Sequence, residues 1–213
     1  MNSYSIHIDK NNGKFTIIFN NPINKILINS FYFNILNAPC FNSLFTHLSF
    51  YASSCESLST YLKHNDRLTY NQTINLLYCL NQQQQLLEKN NSIFHTFNPN
   101  DIIIIDKLFF ICISSLHLKN IKENQILFNS PFEKKFGSPE LLTINKLPAK
   151  CHKNSAIFSL AQLAFFSLFK NIYIFSSSSS SNQLNTIKYT KLYWFFKKGL
   201  EQDYNKRIYY NII

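Results

Sequence analysis

The longest mainly apolar run in the chain, residues 156–169, holds one glutamine and ends at Lys170. A helix needs about 20 apolar residues to span a bilayer, so this run is too short to cross one. It predicts instead a helix buried in the core of a globular domain. The rest of the chain must then supply the elements that cover this helix.

A second apolar segment, residues 102–113, is interrupted by Asp106 and Lys107. Two apolar runs around a polar pair predict two short buried strands joined by a turn. The chain has 213 residues, of which 46% are hydrophobic and 16% aromatic, so it can bury a substantial core and offset its ordering entropy. We therefore expect one folded domain, or two very small ones, with both helices and strands.

The N-terminal quarter is predicted to be rich in β-structure. Residues 4–8 alternate in polarity, and residues 14–19 form a second β-prone run after the turn-forming sequence Asn11-Asn12-Gly13. This arrangement predicts a hairpin. A third apolar stretch covers residues 26–36.

The remainder is predicted to be mainly helical. A short helix is expected near Ser57, and a long helix across residues 69–90, where apolar residues recur at helical spacing. The glutamines at 82–85 are interpreted as the solvated face of the long helix. Six consecutive serines, residues 176–181, match neither periodicity, so they predict a flexible surface loop over residues 176–183.

An aromatic helix is expected over residues 191–200, packed through Trp194 and Phe195 with Lys197 and Lys198 facing outward. A short basic tail rich in tyrosine follows it. Because aromatic and basic residues are interleaved here, stacking on nucleic acid is the alternative interpretation.

Glycine occurs only three times, and no two glycines are close together. A P-loop, a dinucleotide-binding turn and a kinase-type glycine loop all need clustered glycines, because backbone N–H groups must approach phosphates. The sequence therefore excludes nucleotide-binding loops of these three types.

The formal net charge of +10 suits nucleic acid or an acidic membrane surface. The basic residues, however, are mostly lysines scattered singly or in pairs, with arginine only at Arg67 and Arg207. Abundant Asn, Ile and Lys also match AT-rich codons, so mutational bias accounts for part of the charge. Nucleic acid is therefore the less favoured partner, and no membrane span is predicted.

The five cysteines are widely spaced, odd in number and form no C-x-x-C pair. This pattern disfavours zinc ribbons and disulfide frameworks. The chain does not open with the basic region, apolar run and cleavage site of a secretion signal. We therefore expect an intracellular, cytoplasmic protein with reduced thiols.

Six segments between residues 55 and 210, taken in order, resemble the large lobe of a protein kinase. The first two are similar to the short helix after the kinase hinge and the long helix before the catalytic loop, and the third to that loop and its following strand. The last three are similar to the Pro-Glu motif, the central buried helix and the late arginine motif. In order, the segments are Ser57-Leu-Ser-Thr-Tyr-Leu62, residues 68–87, Phe94-His-Thr-Phe-Asn-Pro-Asn-Asp-Ile102, Gly137-Ser-Pro-Glu-Leu141, Asn154-Ser-Ala-Ile-Phe-Ser-Leu-Ala161 and Gly199-Leu-Glu-Gln-Asp-Tyr-Asn-Lys-Arg207.

The resemblance implies an α+β fold of the protein kinase-like type. Residues 1–54 would form a reduced, β-rich N-terminal lobe, and residues 55–213 a mainly helical C-terminal lobe. It also implies a structural ion pair between Glu140 and Arg207, which would tie the Pro-Glu motif to the final helices. A lone surface arginine in a basic tail is the alternative for Arg207.

The resemblance also marks three degenerate positions in the expected kinase site. Phosphoryl transfer needs a catalytic Asp, an Asn and a second Asp that bind metal, and a Lys that positions phosphates. By the alignment, Thr96 stands at the catalytic Asp, Asp101 at the metal-binding Asn, and Ser114 where the second Asp is expected. Thr96 cannot act as a carboxylate base. Asp101 retains an oxygen ligand for a cation, although a capping or surface carboxylate is the commoner role.

Other positions depart from the family pattern as well. No Val-Ala-Ile-Lys-like segment is present, and Lys25 is the nearest candidate for the phosphate-positioning lysine. Ala156 stands where the family usually places an Asp that braces the catalytic loop. His95 has no nucleophile or orienting acid near it in sequence, so it is interpreted as a packing residue. The other histidines, His7, His47, His64, His117 and His152, show no ligand spacing.

These departures predict a catalytically inactive, pseudokinase-type domain that acts as a protein-interaction scaffold or regulator. No catalytic residue, metal site or cofactor is predicted, and binding of ATP and Mg²⁺ is disfavoured. Two alternatives stay open: an atypical active serine/threonine kinase using displaced acids such as Asp106, and a basic structural or nucleic-acid-associated protein. The resemblance extends to divergent kinase-like proteins of large DNA viruses, whereas an AT-rich protist or parasite would show the same composition.

Overall fold

Four antiparallel strands from the N-terminal quarter form the first sheet of the computed structural model, which describes residues 4–9, 12–31 and 39–208. Inward-facing Phe15, Ile17 and Phe19 alternate along the second strand. The predicted hairpin is confirmed, with Tyr4 opposite Phe19; Asn11 of its turn lies outside the described residues. The strands are β1 Tyr4–Asp9, β2 Lys14–Phe19, β3 Cys40–Phe41 and β4 His47–Tyr51, in the order β1-β2-β4-β3.

The third apolar stretch begins as a helix within this β-rich part. Helix α1, Lys25–Phe31, buries Leu27 and Phe31 on its inner side, and residues 32–36 of the stretch lie outside the described residues. Lys25 is exposed at the first position of α1. The interpretation of Lys25 as a phosphate-positioning lysine is therefore wrong, because it is neither on a strand nor directed into the interior.

The remaining strands form two further antiparallel sheets. Residues 102–113 form the predicted pair of strands, and their turn holds Asp106 and Lys107 at left-handed φ values of 54° and 57°. One sheet has the order β5-β7-β8 and the other β11-β10-β9-β6. The strands are β5 Cys55–Ser57, β6 Ser92–Phe94, β7 Ile102–Ile105, β8 Phe109–Cys112, β9 Leu118–Lys122, β10 Gln125–Phe128 and β11 Ala149–His152.

Six more helices follow α1 in the described part of the chain, so the predicted α+β class is confirmed. The two helices predicted at Ser57 and across 69–90 both form. Ser57 caps the first, and Thr69 with Gln72 makes a capping box at the second. The helices are α2 Leu58–His64, α3 Tyr70–Glu88, α4 Pro139–Leu142, α5 Ser155–Phe169, α6 Ser178–Thr186 and α7 Lys191–Gly199.

Helix α5 lies at the centre of the core, as its apolar sequence predicts. Every residue of α5 except Phe166 and Phe169 is buried, and the helix packs against both α3 and α7. Gly199 allows α7 to approach closely, because a Cβ at this position would lie 2.9 Å from the Cβ of Ala161. No helix of the described residues is long and apolar enough to cross a membrane.

The interpretation of residues 82–85 as a solvated face is wrong for the two central glutamines. Gln83 and Gln84 are 0% and 1% exposed. The Gln83 amide bonds both backbone groups of Cys112 at 2.8 and 2.9 Å, and Gln84 bonds both backbone groups of Phe94 at 3.1 Å. An amide can extend a strand in this way because it carries one acceptor and two donors, like a peptide group.

The expected loop over residues 176–183 is instead largely helical, since α6 begins at Ser178. The side chain of Ser177 accepts a hydrogen bond at the start of α6, and Leu184 is buried on its inner side. The hydroxyl of Ser180 is also buried and accepts from the N–H of Ile174 at 3.1 Å. The serine run is therefore ordered by the Ser177 cap, the buried Leu184 side chain and the hydrogen bond to Ser180.

On α7 the predicted orientation is correct for Phe195 and wrong for Trp194. Phe195 is 1% exposed, whereas Trp194 is 44% exposed and stands on the outer side with Lys197. Lys198 is half-buried. Residues 209–213, the end of the tyrosine-rich tail, lie outside the described residues. No disulfide bond joins any two of the five cysteines, all of which lie among the described residues.

Candidate functional site

The candidate site is the buried loop between β6 and β7, residues 95–101. Its last three residues, Pro99–Asp101, form one turn of 3-10 helix capped by the side chain of Asn98. The Ile113 N–H donates to the carbonyl of Asp101 at 2.9 Å, which holds the end of the loop beside the end of β8. The structure therefore brings Asp101 next to Ile113, the residue that precedes Ser114.

The carboxylate of Asp101 is bonded to a buried histidine. Nε2 of His117 lies 2.9 Å from Oδ2 of Asp101, and Oε2 of Glu133 lies 3.8 Å from the same nitrogen. Because an ionised carboxylate only accepts hydrogen bonds, His117 donates from Nε2. Nδ1 of His117 is buried without a hydrogen-bond partner among the described residues. Asp101 is therefore held inside a short buried polar cluster.

Thr96 and Ser114 also have backbone partners. The Thr96 side chain is fully buried, and its hydroxyl donates to the carbonyl of Lys135. The Ser114 hydroxyl accepts from the N–H of Leu116 at 3.3 Å and caps a short 3-10 turn. Both hydroxyls therefore bond backbone groups. Neither side chain carries a carboxylate that could bind a metal ion.

His95 is a packing residue in the structure. Its ring nitrogens face the carbonyl oxygens of His117 and Glu133 at 2.8 and 3.2 Å, and its ring meets Phe128 and Phe132 edge-on. Burial lowers the pKa of His95 to about 4, although the two carbonyls oppose this shift. The ring is therefore neutral near neutral pH. No free nucleophile contacts it among the hydrogen bonds of the described residues.

Helix α5 supports the loop of residues 95–101 through a hydrogen bond from Ser159. The hydroxyl of Ser159 donates to the carbonyl of His95 at 3.0 Å, whereas Ala156, at the position where the resemblance implies an Asp, is buried and apolar. Ser159 lies three residues after Ala156 and therefore almost one helical turn further along α5. A neutral hydroxyl of α5 thus supports the loop.

Asp106 does not join this cluster. It lies in the β7–β8 turn, where its carboxylate accepts from the N–H and hydroxyl of Ser53 at 2.6 and 2.7 Å. Asp106 follows Asp101 by five residues along β7, a separation of about 17 Å in an extended strand. The two carboxylates therefore cannot hold one metal ion together.

A pocket of about 420 Å³ lies between the first sheet and β5, and Tyr4 is one of its lining residues. The pocket is lined by residues of β1, by Phe15 and by residues 55–57 and 60. Tyr4 is 7% exposed, and its hydroxyl donates to the carbonyl of Asn100. Burial raises the pKa of Tyr4, so the phenol stays protonated and remains a donor.

Glu140 and Arg207 form a bidentate ion pair. Nη2 of Arg207 lies 2.9 Å from Oε2 of Glu140, and Nη1 contacts the other carboxylate oxygen. The Arg207 side chain is 0% exposed and that of Glu140 is 24% exposed. The guanidinium also donates to the carbonyls of Glu201 and Gln202, at 2.7 and 2.9 Å. Arg207 is thus a buried tie between α4 and the end of the chain.

Sequence reasoning identified Thr96, Asp101 and Ser114 but missed His117 and Tyr4, which contact the loop from a distance in sequence. Only the position of His117, three residues after Ser114, offered a signal.

In the described part of the chain, no group of three or more His, Cys, Asp or Glu side chains is arranged to hold a metal ion. No protein-family model matches the chain, and no curated protein matches it.

Proposed function

We propose that this chain is a kinase-like domain that lacks phosphotransfer activity and works by binding a protein partner. The observation that carries the proposal is the Asp101–His117 contact. Asp101 is the only carboxylate at the three expected active-site positions, and it is bonded to a buried histidine. The group that would have to bind metal is therefore already part of the protein interior.

The described elements support the kinase-like part of this proposal. The loop of residues 95–101 is followed directly by a buried strand, and a buried central helix supports it through Ser159. Glu140 and Arg207 make the ion pair that the resemblance implies. These features come from segments that match the family in the same order along the sequence.

The chemistry of the site supports the loss of activity. A kinase balances the charge of ATP with metal-bound carboxylates and a strand lysine. Here no lysine faces inward from β2, because its inward positions are Phe15, Ile17 and Phe19. Ser114 supplies no carboxylate. A bound triphosphate would thus face apolar side chains and hydroxyls, which cannot offset its charge.

A thermal-shift titration with ATP and Mg²⁺ tests this part of the proposal. A nucleotide at about 100 times its Kd would add about 2.7 kcal/mol of stability, which is a shift of several degrees for a chain of this size. We expect no shift and no phosphate transfer to the chain or to a generic substrate. A Mg²⁺-dependent shift that Asp101→Asn abolishes would instead establish the atypical active kinase.

The partner-binding part rests on an apolar opening beside Ser114. A pocket of about 110 Å³ lies between the first sheet and this turn and is lined by Phe19, Ile23 and residues 113–116. Leu116 at its rim is 69% exposed. Leu116 is the exposed apolar side chain of this pocket, so we assign the partner contact to it.

Capture experiments with surface variants test the partner-binding part. Leu116→Asp should abolish retention of a bound protein, whereas Leu108→Asp should retain it, because Leu108 is 47% exposed on the distant β7–β8 turn. The assignment would be overturned if both variants retained the bound protein equally. It would also be overturned if the unmodified chain retained no protein.

A further inference from the structure

The charge of this chain is concentrated in one segment. Residues 141–200 contain eight lysines and no Asp, Glu or Arg, so they carry +8 of the formal net charge of +10. The rest of the chain is close to neutral. A charge asymmetry of this size between parts of one chain favours a polyanionic partner for the surface of the basic part.

Helix α7 presents part of this charge on its outer side. Lys191, Trp194 and Lys197 are all exposed, while Phe195 and Phe196 pack inward. Residues three positions apart on a helix have Cβ atoms about 5–6 Å apart. The two lysines therefore flank the indole ring on one continuous face.

The turn before α7 carries a second exposed ring. Tyr189 is 79% exposed, and the ammonium group of Lys188 lies 5.0 Å from the centroid of its ring. Tyr193 meets Trp194 edge-on at 5.2 Å between ring centroids, which orients the indole without covering both of its faces. Residues 188–198 thus combine two accessible aromatic rings with lysines, and we name this surface the α7 face.

We propose that the α7 face binds single-stranded nucleic acid. Lysines would neutralise phosphates, and Trp194 and Tyr189 would stack on unpaired bases, the combination that binds single strands without sequence preference. Base-paired duplexes keep their base faces inside the stack, so the rings favour a single strand.

The same surface fits other anionic partners less well. Lysine is depleted in the cores of protein interfaces, which disfavours an acidic protein. An interfacial membrane helix inserts its apolar side, whereas the apolar side of α7 is buried against α5. The proposal is independent of the proposed function, because the α7 face contains none of the residues of the kinase-like site.

The first test measures how binding of the full chain to a fluorescent oligothymidine depends on salt. The probe needs about 20 nucleotides, more than the roughly 4–16 that one single-strand-binding domain covers. A plot of log K against log salt has a negative slope. The double variant Lys191→Gln/Lys197→Gln should make this slope shallower by about 1.4, at about 0.7 per lost phosphate contact. The control Lys89→Gln/Lys122→Gln removes two exposed lysines elsewhere and should leave the slope unchanged.

The second test separates base stacking from charge. Trp194→Ala should weaken binding about 5- to 160-fold, from the usual contribution of one stacked ring. Its control is Tyr78→Ala, because Tyr78 is 42% exposed on α3 and its removal should leave affinity within twofold. Tyr189→Ala repeats the test at a more exposed ring, and melting temperatures of all variants identify any loss of folding.

Three outcomes would overturn the proposal. The first is no binding of the oligothymidine at low salt. The second is equal affinities for Trp194→Ala, Tyr189→Ala and Tyr78→Ala. The third is tighter binding of polyglutamate or of phosphatidylserine vesicles than of the oligothymidine, which would assign the α7 face to an acidic protein or to a membrane.

Discussion

Replacing Arg207 by alanine tests the buried ion pair that joins α4 to the C-terminal segment. The substitution removes a guanidinium that is 0% exposed and leaves the Glu140 carboxylate without its partner. It also takes donors from the carbonyls of Glu201 and Gln202 and a cation from above the Phe158 ring, whose centroid lies 5.0 Å away.

The expected cost follows from these contacts. Removing one partner of a buried ion pair costs about 3–5 kcal/mol. Because Glu140 is 24% exposed, water can solvate the remaining carboxylate, and we expect about 3 kcal/mol. For a chain of this size, each kcal/mol lowers the melting temperature by about 2–4 °C. Arg207→Ala should therefore melt about 6–12 °C below the wild type.

Calorimetry and urea unfolding measure this change, and the chain offers a matched control. Arg67 is the other arginine and is exposed, so Arg67→Ala should leave the melting temperature within about 1–2 °C of the wild type. Glu140→Ala and the double variant complete the cycle, and the double variant should cost less than the sum of the two. An Arg207→Ala protein as stable as Arg67→Ala would refute the reasoning.

Three further changes address the core and the loop. Gln84→Ala leaves both backbone groups of Phe94 unpaired and should cost about 2–3 kcal/mol in urea unfolding, whereas an effect below 0.5 kcal/mol would contradict the bonding described. Gly199→Ala places a Cβ 2.9 Å from that of Ala161, so overpacking should cost about 1–3 kcal/mol; unchanged stability would show that α7 can shift away from α5. Burial lowers the pKa of His95 from 6.5 to about 4, so between these pH values the unfolded chain binds a proton that the folded chain does not. Stability should then fall by up to about 3 kcal/mol as the pH drops through this window, and a His95→Gln variant with the same pH dependence would exclude His95 as the cause.

The elements with strong apolar periodicity could be predicted from the sequence. Helix α5 and the β7–β8 hairpin follow from long apolar runs, and α3 from leucine spacing, because local burial patterns decide such elements. The burial of Gln83 and Gln84 on α3 could not be predicted in the same way, because their partners are backbone groups of strands β8 and β6. A polar residue inside an amphipathic pattern is assigned to solvent unless those distant partners are known.

The sequence named candidate site positions but did not predict their contacts. The alignment identified Thr96, Asp101 and Ser114 by their distances from Pro99 and from the apolar strands. Their partners, such as His117 and the carbonyl of Lys135, come from segments that fold back onto the loop. Trp194 was misplaced for a different reason: adjacent residues on a helix differ by about 100°, and a run of four aromatic residues does not show which of them face inward.

The paired glutamines of α3 have an evolutionary consequence. Gln84 holds the last residue of β6 and Gln83 the last residue of β8, so the segments entering and leaving the hairpin are both anchored to neighbouring positions on one rigid helix. The spacing of these two supports therefore does not depend on the side chains of residues 95–101. Substitution of the exposed Asn100 should leave both supports in place, so evolution can vary the sequence there more freely than at the buried Thr96 or Asp101.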